Sequence, residues 1–248
     1  MGTIQFQQVS KRFENGQEAL KSVNLTFESG SMTFLTGHSG AGKSTFLKLL
    51  LCIDRPSRGQ LLVNDVNISK LSARRLPHYR RHVGAVFQDH HLLAERTVFE
   101  NVAIPLRVAG MADRDIGRRV RAALTRVGLL SKERRYPAQL STGEQQRVGI
   151  ARAVATRPNI LIADEPTGNL DPELSRDIMA LFKQFNQVGT TVIVASHDLA
   201  LIETMGERVI ELAEGSVVRD DDPRGGVVPK PSASWDSDVH PAVVEAAR

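Results

Sequence analysis

The chain has 248 residues, 41% of them apolar and 24% charged, and carries a formal net charge of +4 at pH 7. These fractions are ordinary for a folded globular protein, and the lone Cys52 excludes an internal disulfide. No run approaches the roughly 18 apolar residues of a membrane-spanning helix. The polar N-terminus also lacks a signal-peptide core, so we expect a cytoplasmic chain.

The basic excess is mild and is scattered in arginine pairs at 74–75, 80–81, 118–119 and 134–135. Such pairs usually lie on solvated helix faces, and contact with an anionic membrane surface is the alternative. Basic and aromatic residues do not interleave as they do in nucleic-acid-binding segments, so no nucleic acid partner is expected.

The first elements are two strands, at 3–9 and 23–27, in which apolar and polar residues alternate. The loop between them carries Phe13. This ring could stack on an adenine, because every base offers a π face. The alternative is a hydrophobic plug, which is the commoner role of a loop aromatic.

A phosphate-binding loop follows the strand predicted at 32–36 and precedes a helix predicted at 46–51. Its glycines allow a sharp turn and a close approach of backbone amides to phosphate oxygens. Lys43 can place its ammonium on the β and γ phosphates of ATP, and the Ser44 hydroxyl can coordinate Mg²⁺. The loop comprises Gly37, His38, Ser39, Gly40, Ala41, Gly42, Lys43, Ser44 and Thr45.

Gln88 ends a buried strand predicted at 83–87, which follows a short strand at 60–63 and a broken helix at 72–82. Open α/β sheets bind ligands at the carboxyl ends of their strands, so this amide is well placed to face one. The alternative is a strand end whose side chain bonds to a turn.

Helical periodicity replaces strand signals from residue 89 to about 156, with helices predicted at 98–108, 113–127 and 143–155. We therefore predict a helical lobe inserted into the α/β core. The last helix begins at Ser141, Thr142, Gly143 and Glu144 with the spacing of a capping box, which by itself indicates only a helix start. Its position favours a second anion site at a helix N-terminus.

Two carboxylates, Asp164 and Glu165, end the next apolar strand at 160–165. Uncompensated acids at a core edge are costly, which favours a role in chemistry. Asp164 is suited to bind Mg²⁺ across from Ser44. Glu165 is suited to act as the general base for a water at the γ-phosphate. His197 follows the strand at 191–195 and could contact the same phosphate.

A hairpin is predicted from strands at 209–212 and 216–219, and the composition after Asp220 predicts a disordered tail at 220–248. The expected fold is α/β, with a single ATPase domain over 1–219. The phosphate loop and the signature at 141–144 lie on separate lobes. If both contact one nucleotide, the signature must come from another chain, which predicts a head-to-tail homodimer on ATP binding.

Five motifs in this order resemble the ATP-binding-cassette (ABC) ATPases over about residues 1–219. The resemblance implies a P-loop NTPase with a RecA-like mixed sheet, an antiparallel β edge and the inserted helical lobe, and it implies Mg-dependent ATP hydrolysis. By this resemblance Phe13 would stack on the adenine, Gln88 would sense Mg²⁺ and water, and Ser141–Glu144 would form the signature. Asp164 would be the acid that holds the metal, and Glu165 would be the catalytic base. Asp171 would be the acid of the loop that follows them, and His197 would be the switch histidine. Thr142 departs from the glycine usual at its position, which puts the turnover rate in question.

Among ABC ATPases the chain is similar to the cell-division members, on His38, the pair His90–His91 and the stretch 100–106. That likeness implies a peripheral position on the cytoplasmic side of the cell membrane, an FtsX-like integral membrane partner and indirect control of cell-wall hydrolases. The alternatives are the ATPase subunit of a lipoprotein-release or macrolide-export transporter, a nucleotide-gated scaffold with little turnover, and a DNA-associated ATPase. The last is disfavoured because the chain lacks sustained heptads.

Overall fold

Two β-sheets and seven α-helices form the computed structural model over its described residues, 3–168, 170–223 and 225. Asn169 and residues 226–248, which hold most of the predicted tail, lie outside them. The strands are β1 (Ile4–Arg12), β2 (Glu18–Phe27), β3 (Met32–Thr36), β4 (Arg58–Val63), β5 (Val66–Asn67), β6 (Val83–Val86), β7 (Ile160–Asp164), β8 (Thr191–Ala195), β9 (Arg208–Ala213) and β10 (Ser216–Asp221). The helices are α1 (Lys43–Leu50), α2 (Leu76–Arg81), α3 (Val98–Val108), α4 (Asp113–Arg126), α5 (Thr142–Val154), α6 (Pro172–Gln187) and α7 (Leu199–Met205).

The central sheet has six strands in the order β10-β9-β3-β8-β7-β6. All neighbouring strands are parallel except the β9–β10 hairpin. Every residue of β3 and β8 is buried, including the threonines, as expected of parallel strands covered on both faces. The carboxyl ends of β3, β6, β7 and β8 consequently meet at one edge.

The second sheet is antiparallel, in the order β2-β1-β4-β5. The alternating apolar residues of β1 are its buried ones, and the Phe6 ring stacks on Phe46 of α1 with centroids 4.1 Å apart. A hydrophobic core therefore joins this sheet to the helix that follows the phosphate loop. The two sheets together match the predicted mixed core with an antiparallel β edge.

Helices α3, α4 and α5 lie between β6 and β7, as predicted, and the described residues 87–159 contain no strand. Short 3₁₀ turns at Leu130–Lys132 and Pro137–Gln139 join α4 to α5. The three helices bury their apolar stripes against one another. Helix α3 begins with a capping box between Thr97 and Glu100, which was not predicted.

Several boundaries differ from the predictions. Strand β6 ends at Val86, one residue early, and β7 ends at Asp164, where Glu165 turns out of the extended conformation with a left-handed backbone, φ of 48°. Strand β10 continues to Asp221, two residues into the predicted tail. No helix in the described part of the chain combines the length and apolarity needed to span a membrane.

Candidate functional site

The loop between β3 and α1 turns on glycines that tolerate no side chain. Gly37 has φ of 138°, and a Cβ there would lie 2.2 Å from the Leu212 carbonyl oxygen; Gly42 has φ of 111°, and its Cβ would lie 2.5 Å from the Ala19 carbonyl oxygen. Gly42 is also the N-cap of α1 and makes no side-chain cap bond. The first amides of α1 thus face the loop without a side-chain acceptor, as in an anion-binding helix end.

Lys43 lies in the centre of this loop. Its Nζ donates to the carbonyl oxygens of Gly37 at 2.6 Å and His38 at 3.3 Å. The His38 ring turns back on its own loop, where Nδ1 donates to the Ser39 carbonyl at 2.7 Å. The loop carbonyls therefore hold the ammonium group within the loop, where it can bind a phosphate group.

A cavity of about 620 Å³ opens over the loop. The whole predicted loop lines it, together with Gln88, Glu165 and His197 from the ends of neighbouring strands and with Phe13 on the far wall. Gln17 and Ala19 also line it and were not among the predicted site residues. Their closeness in sequence to Phe13 is the feature that could have indicated their place in the site.

Glu165 and His197 form a hydrogen-bonded pair at the edge of this cavity. Asp164 and Ala195 are paired in register on β7 and β8, so the residues that follow them emerge side by side. His197 Nδ1 lies 2.7 Å from Glu165 Oε2, and the Glu165 amide donates to the Ala195 carbonyl at 3.0 Å. The imidazole is largely exposed, at 71%, whereas the carboxylate is only 16% exposed. This contact fixes the carboxylate, and no sequence pattern indicated it.

Gln88 lies on the other side of Glu165, two residues beyond the end of β6. A Cβ placed on Gly168 would be 3.3 Å from Gln88 Nε2, so the amide lies close over the turn that follows Glu165. The three residues predicted to take part in catalysis, Gln88, Glu165 and His197, therefore line the same cavity as the phosphate loop.

Phe13 is half-buried on the cavity wall, with the Lys11 ammonium 5.1 Å from its ring centroid. One ring surface is thus occupied by a cation, in a cation–π contact. Because the ring lines the cavity, it is not a plug buried in the core, and it remains a candidate for stacking on a base.

The predicted signature lies apart from this cavity, at the start of α5. Ser141 and Glu144 form the predicted capping box: Ser141 Oγ accepts from the Glu144 amide at 3.3 Å, and a Glu144 carboxylate oxygen accepts from the Ser141 amide at 3.1 Å. Lys132 binds the other carboxylate oxygen and holds the Glu144 pKa below its usual range. Thr142 is exposed, whereas Gly143 is buried.

Gly143 is buried because Leu174, at the start of α6, packs directly over it. A Cβ at this position would lie 2.1 Å from Leu174 Cδ2. None of the signature residues lines the cavity above the phosphate loop. Within one chain the structure therefore leaves the two predicted anion sites separate.

The oxygen donors predicted for a metal are compatible with Mg²⁺. Ser44 and Gln88 line the cavity, and Asp164 is the half-buried last residue of β7, beside Glu165. Among the described residues no three His, Cys, Asp or Glu side chains cluster as a metal cage. Mg²⁺ is typically bound by one or two protein oxygen ligands, with water and substrate phosphate completing its coordination. Zn²⁺ and Ca²⁺ usually take most of their ligands from the protein.

Comparison with known proteins agrees with this geometry. The sequence profile described as ABC transporter matches residues 20–168. The chain belongs to the ABC transporter family. Its fold is accordingly the predicted P-loop fold of the ABC ATPases.

Curated and solved relatives of this ABC chain extend the match over most of its length. Cell division ATP-binding protein FtsE of Escherichia coli (strain K12) is 54% identical over 212 residues, which cover 86% of this chain and 96% of FtsE. FtsE of Bacillus subtilis (strain 168) is 44% identical over 218 residues, covering 88% and 96%. The predicted resemblance to the cell-division members is confirmed.

A dimeric post-hydrolysis structure of the ATP-binding cassette MJ0796, bound to ADP and Pi, superposes with a TM-score of 0.82 at 36% identity, covering 90% of this chain and 99% of that one. A second dimeric structure of MJ0796, described as a bacterial ABC transporter cassette, gives the same TM-score at 37% identity.

Proposed function

We propose that this ABC chain is the ATP-binding and ATP-hydrolysing subunit of a cell-division complex at the cytoplasmic face of the membrane. The observation that carries the proposal is the single cavity in which the phosphate loop faces the paired Glu165 and His197. The identity to FtsE proteins supports the cell-division context. The proposed ATPase unit spans 1–219, with its helical lobe at 89–156.

In this proposal each residue of the cavity has one task. The loop amides and the Lys43 ammonium bind the β and γ phosphates, and the Phe13 ring stacks on the adenine. Glu165 accepts a proton from the attacking water, as a positioned general base does. His197 holds the Glu165 carboxylate through Nδ1 and exposes the remainder of its ring toward the γ-phosphate position.

The metal that accompanies ATP is proposed to be Mg²⁺, held by Ser44 and Asp164, with Gln88 beside it. When bound, such an ion supplies positive charge against the phosphate oxygens. The chain's own contribution is the placement of three oxygen donors, Ser44 in the first turn of α1 and Gln88 and Asp164 at adjoining strand ends.

The signature is proposed to complete the site from a second copy of the chain. Ser141, Thr142, Gly143 and Glu144 lie outside the cavity of their own chain, so they reach a nucleotide only if two chains pair head to tail. The dimeric MJ0796 cassette bound to ADP and Pi supports such a pair. ATP would then hold the two copies together, and hydrolysis would release them.

The membrane partner is proposed to be an FtsX-like integral membrane protein, through which ATP turnover controls peptidoglycan hydrolases outside the cell. The support is the name shared by the curated relatives, which ties them to cell division. A pull-down tests this partner. An ATP-bound Glu165→Gln variant is used to capture proteins from solubilised membranes, and the retained protein is identified by its mass.

Two variants test the ATPase itself. Glu165→Gln is expected to retain ATP binding and to lose about 10²- to 10⁴-fold in turnover, the usual cost of removing a positioned base. Lys43→Ala is expected to lose both binding and turnover, because it removes the ammonium that the loop carbonyls hold for the β and γ phosphates. Glu203→Gln on α7 and Lys48→Ala on α1, both exposed and outside the cavity, are the matched controls. Near-normal turnover by Glu165→Gln would remove its proposed role.

A further inference from the structure

Two of the three residues after Gln88, His90 and His91, are hydrogen-bonded to α5. Arg152, in the last turn of α5, donates from Nη2 to the His90 carbonyl and from Nη1 to the His91 carbonyl, both at 2.7 Å. A guanidinium that binds two successive carbonyls holds a loop in one orientation, because its donors form a rigid fork. The backbone just beyond Gln88 is therefore attached to the C-terminal end of α5.

A second attachment joins the same loop to the beginning of α5. His90 Nε2 lies 3.1 Å from the Thr142 carbonyl oxygen. A carbonyl only accepts, so Nε2 carries the hydrogen. Partial burial lowers the pKa of His90, while the Thr142 bond and Asp89 oppose the shift and Arg152 and His91 add to it. Thr142 and Arg152 are ten residues apart on α5, or about 15 Å along the helix, so His90 is bound to both ends of α5.

Helix α5 is also attached to the turn that carries the catalytic candidate Glu165. The buried Gln146 side chain donates from Nε2 to the Pro166 carbonyl at 2.8 Å. A small space between these segments is lined by Gln88, His90, Thr142, Gln146 and Glu165, among others. Helix α5 therefore contacts the segments next to Gln88 and next to Glu165, and it carries the signature at its N-terminus.

We propose that His90 is a positioning residue that couples Gln88 to the signature end of α5. The inference rests on the proposed function, in which that end contacts the nucleotide held mainly by the second copy. When α5 shifts onto that nucleotide, the His90–Thr142 bond transmits the shift to the Gln88 loop of the same chain. Each site then acquires its hydrolytic geometry only when the other is filled, and the coupling acts on turnover more than on ATP binding.

The test compares His90→Ala with His90→Gln, whose side-chain amide can donate to the Thr142 carbonyl. Loss of one neutral hydrogen bond corresponds to about a threefold to tenfold fall in kcat. His90→Ala is expected to show that fall with KM for ATP and the melting temperature unchanged, and His90→Gln to recover most of the lost rate. His78→Ala, an exposed histidine on α2, is the matched control and is expected to behave as the wild type.

Three results would overturn the inference: wild-type kcat in His90→Ala, equal loss in both His90 variants, or a lowered melting temperature that accounts for the lost activity. Hydrogen exchange of the amides at 89–92 without nucleotide measures the attachment independently of turnover. We expect these amides to exchange threefold to tenfold faster in His90→Ala than in the wild type or His90→Gln, and unchanged exchange would refute the attachment. A wild type that exchanges as expected but hydrolyses no ATP would refute the ATPase proposal instead.

Discussion

Gly143→Ala perturbs the packing that places the signature against α6. The added methyl group would lie 2.1 Å from Leu174 Cδ2, 3.0 Å from Cγ and 3.1 Å from Cδ1, so the Leu174 side chain or the start of α5 must move. Overpacking of this kind costs about 1–3 kcal/mol, while alanine in a helix gains about 1 kcal/mol over glycine. The expected net loss of unfolding free energy is therefore about 0–2 kcal/mol.

A double-mutant cycle isolates the contact. Leu174 is half-buried, so Leu174→Ala alone should cost less than the roughly 2–5 kcal/mol of a fully buried leucine. Because it removes all three obstructing atoms, it should make Gly143→Ala neutral or favourable in the double variant, with a coupling energy of about 1–3 kcal/mol. Urea unfolding followed by circular dichroism measures all four proteins at constant m-value.

Gly149 provides the control on the same helix. It is buried like Gly143, yet nothing lies within 4 Å of a Cβ built on it, so Gly149→Ala should gain about the 1 kcal/mol of helix propensity. If Gly143→Ala were as stable as Gly149→Ala, or if Leu174→Ala gave no rescue, the packing of Leu174 over the signature would be refuted.

Two further predictions concern single side chains. Thr142→Gly is expected to raise kcat, by up to about tenfold, because it clears the side chain from the approach to phosphate while keeping the carbonyl that His90 binds; a steady-state assay that finds an equal or slower rate would contradict this. Burial raises the pKa of Cys52 from 9.0 to about 11, so its thiolate should be about 100-fold scarcer in the folded than in the unfolded protein at pH 8, and iodoacetamide labelling should slow accordingly. Equal labelling rates in buffer and in urea would refute the burial argument.

Local features were the predictable part of this fold. The phosphate loop, its strand and its helix follow from a glycine pattern with few structural alternatives, and the capping box at Ser141 and Glu144 follows from side-chain chemistry within four residues. The β4–β5 hairpin was missed, although Asn64 and Asp65, with φ of 51° and 62°, are the residue types that a two-residue turn favours.

The unpredicted part depends on contacts distant in sequence. The Glu165–His197 pair joins residues that are adjacent only because β7 and β8 are neighbours in register. The apolar run wrongly extended β7 to Glu165, since the left-handed turn after Asp164 occurs at the sheet edge, where the Glu165 amide donates to the Ala195 carbonyl. The contact of Leu174 with Gly143 is likewise determined by how α5 and α6 pack.

The central claim is that ATP joins two copies across the site, and sedimentation of the Glu165→Gln variant tests it most directly. With Mg-ATP the mass should rise to about twice the 27.2 kDa of one chain, and with ADP it should remain that of the monomer. Adding Ser141→Arg at the exposed signature should restore the monomer while leaving ATP binding intact. A variant that binds ATP and remains monomeric at all concentrations would contradict the account.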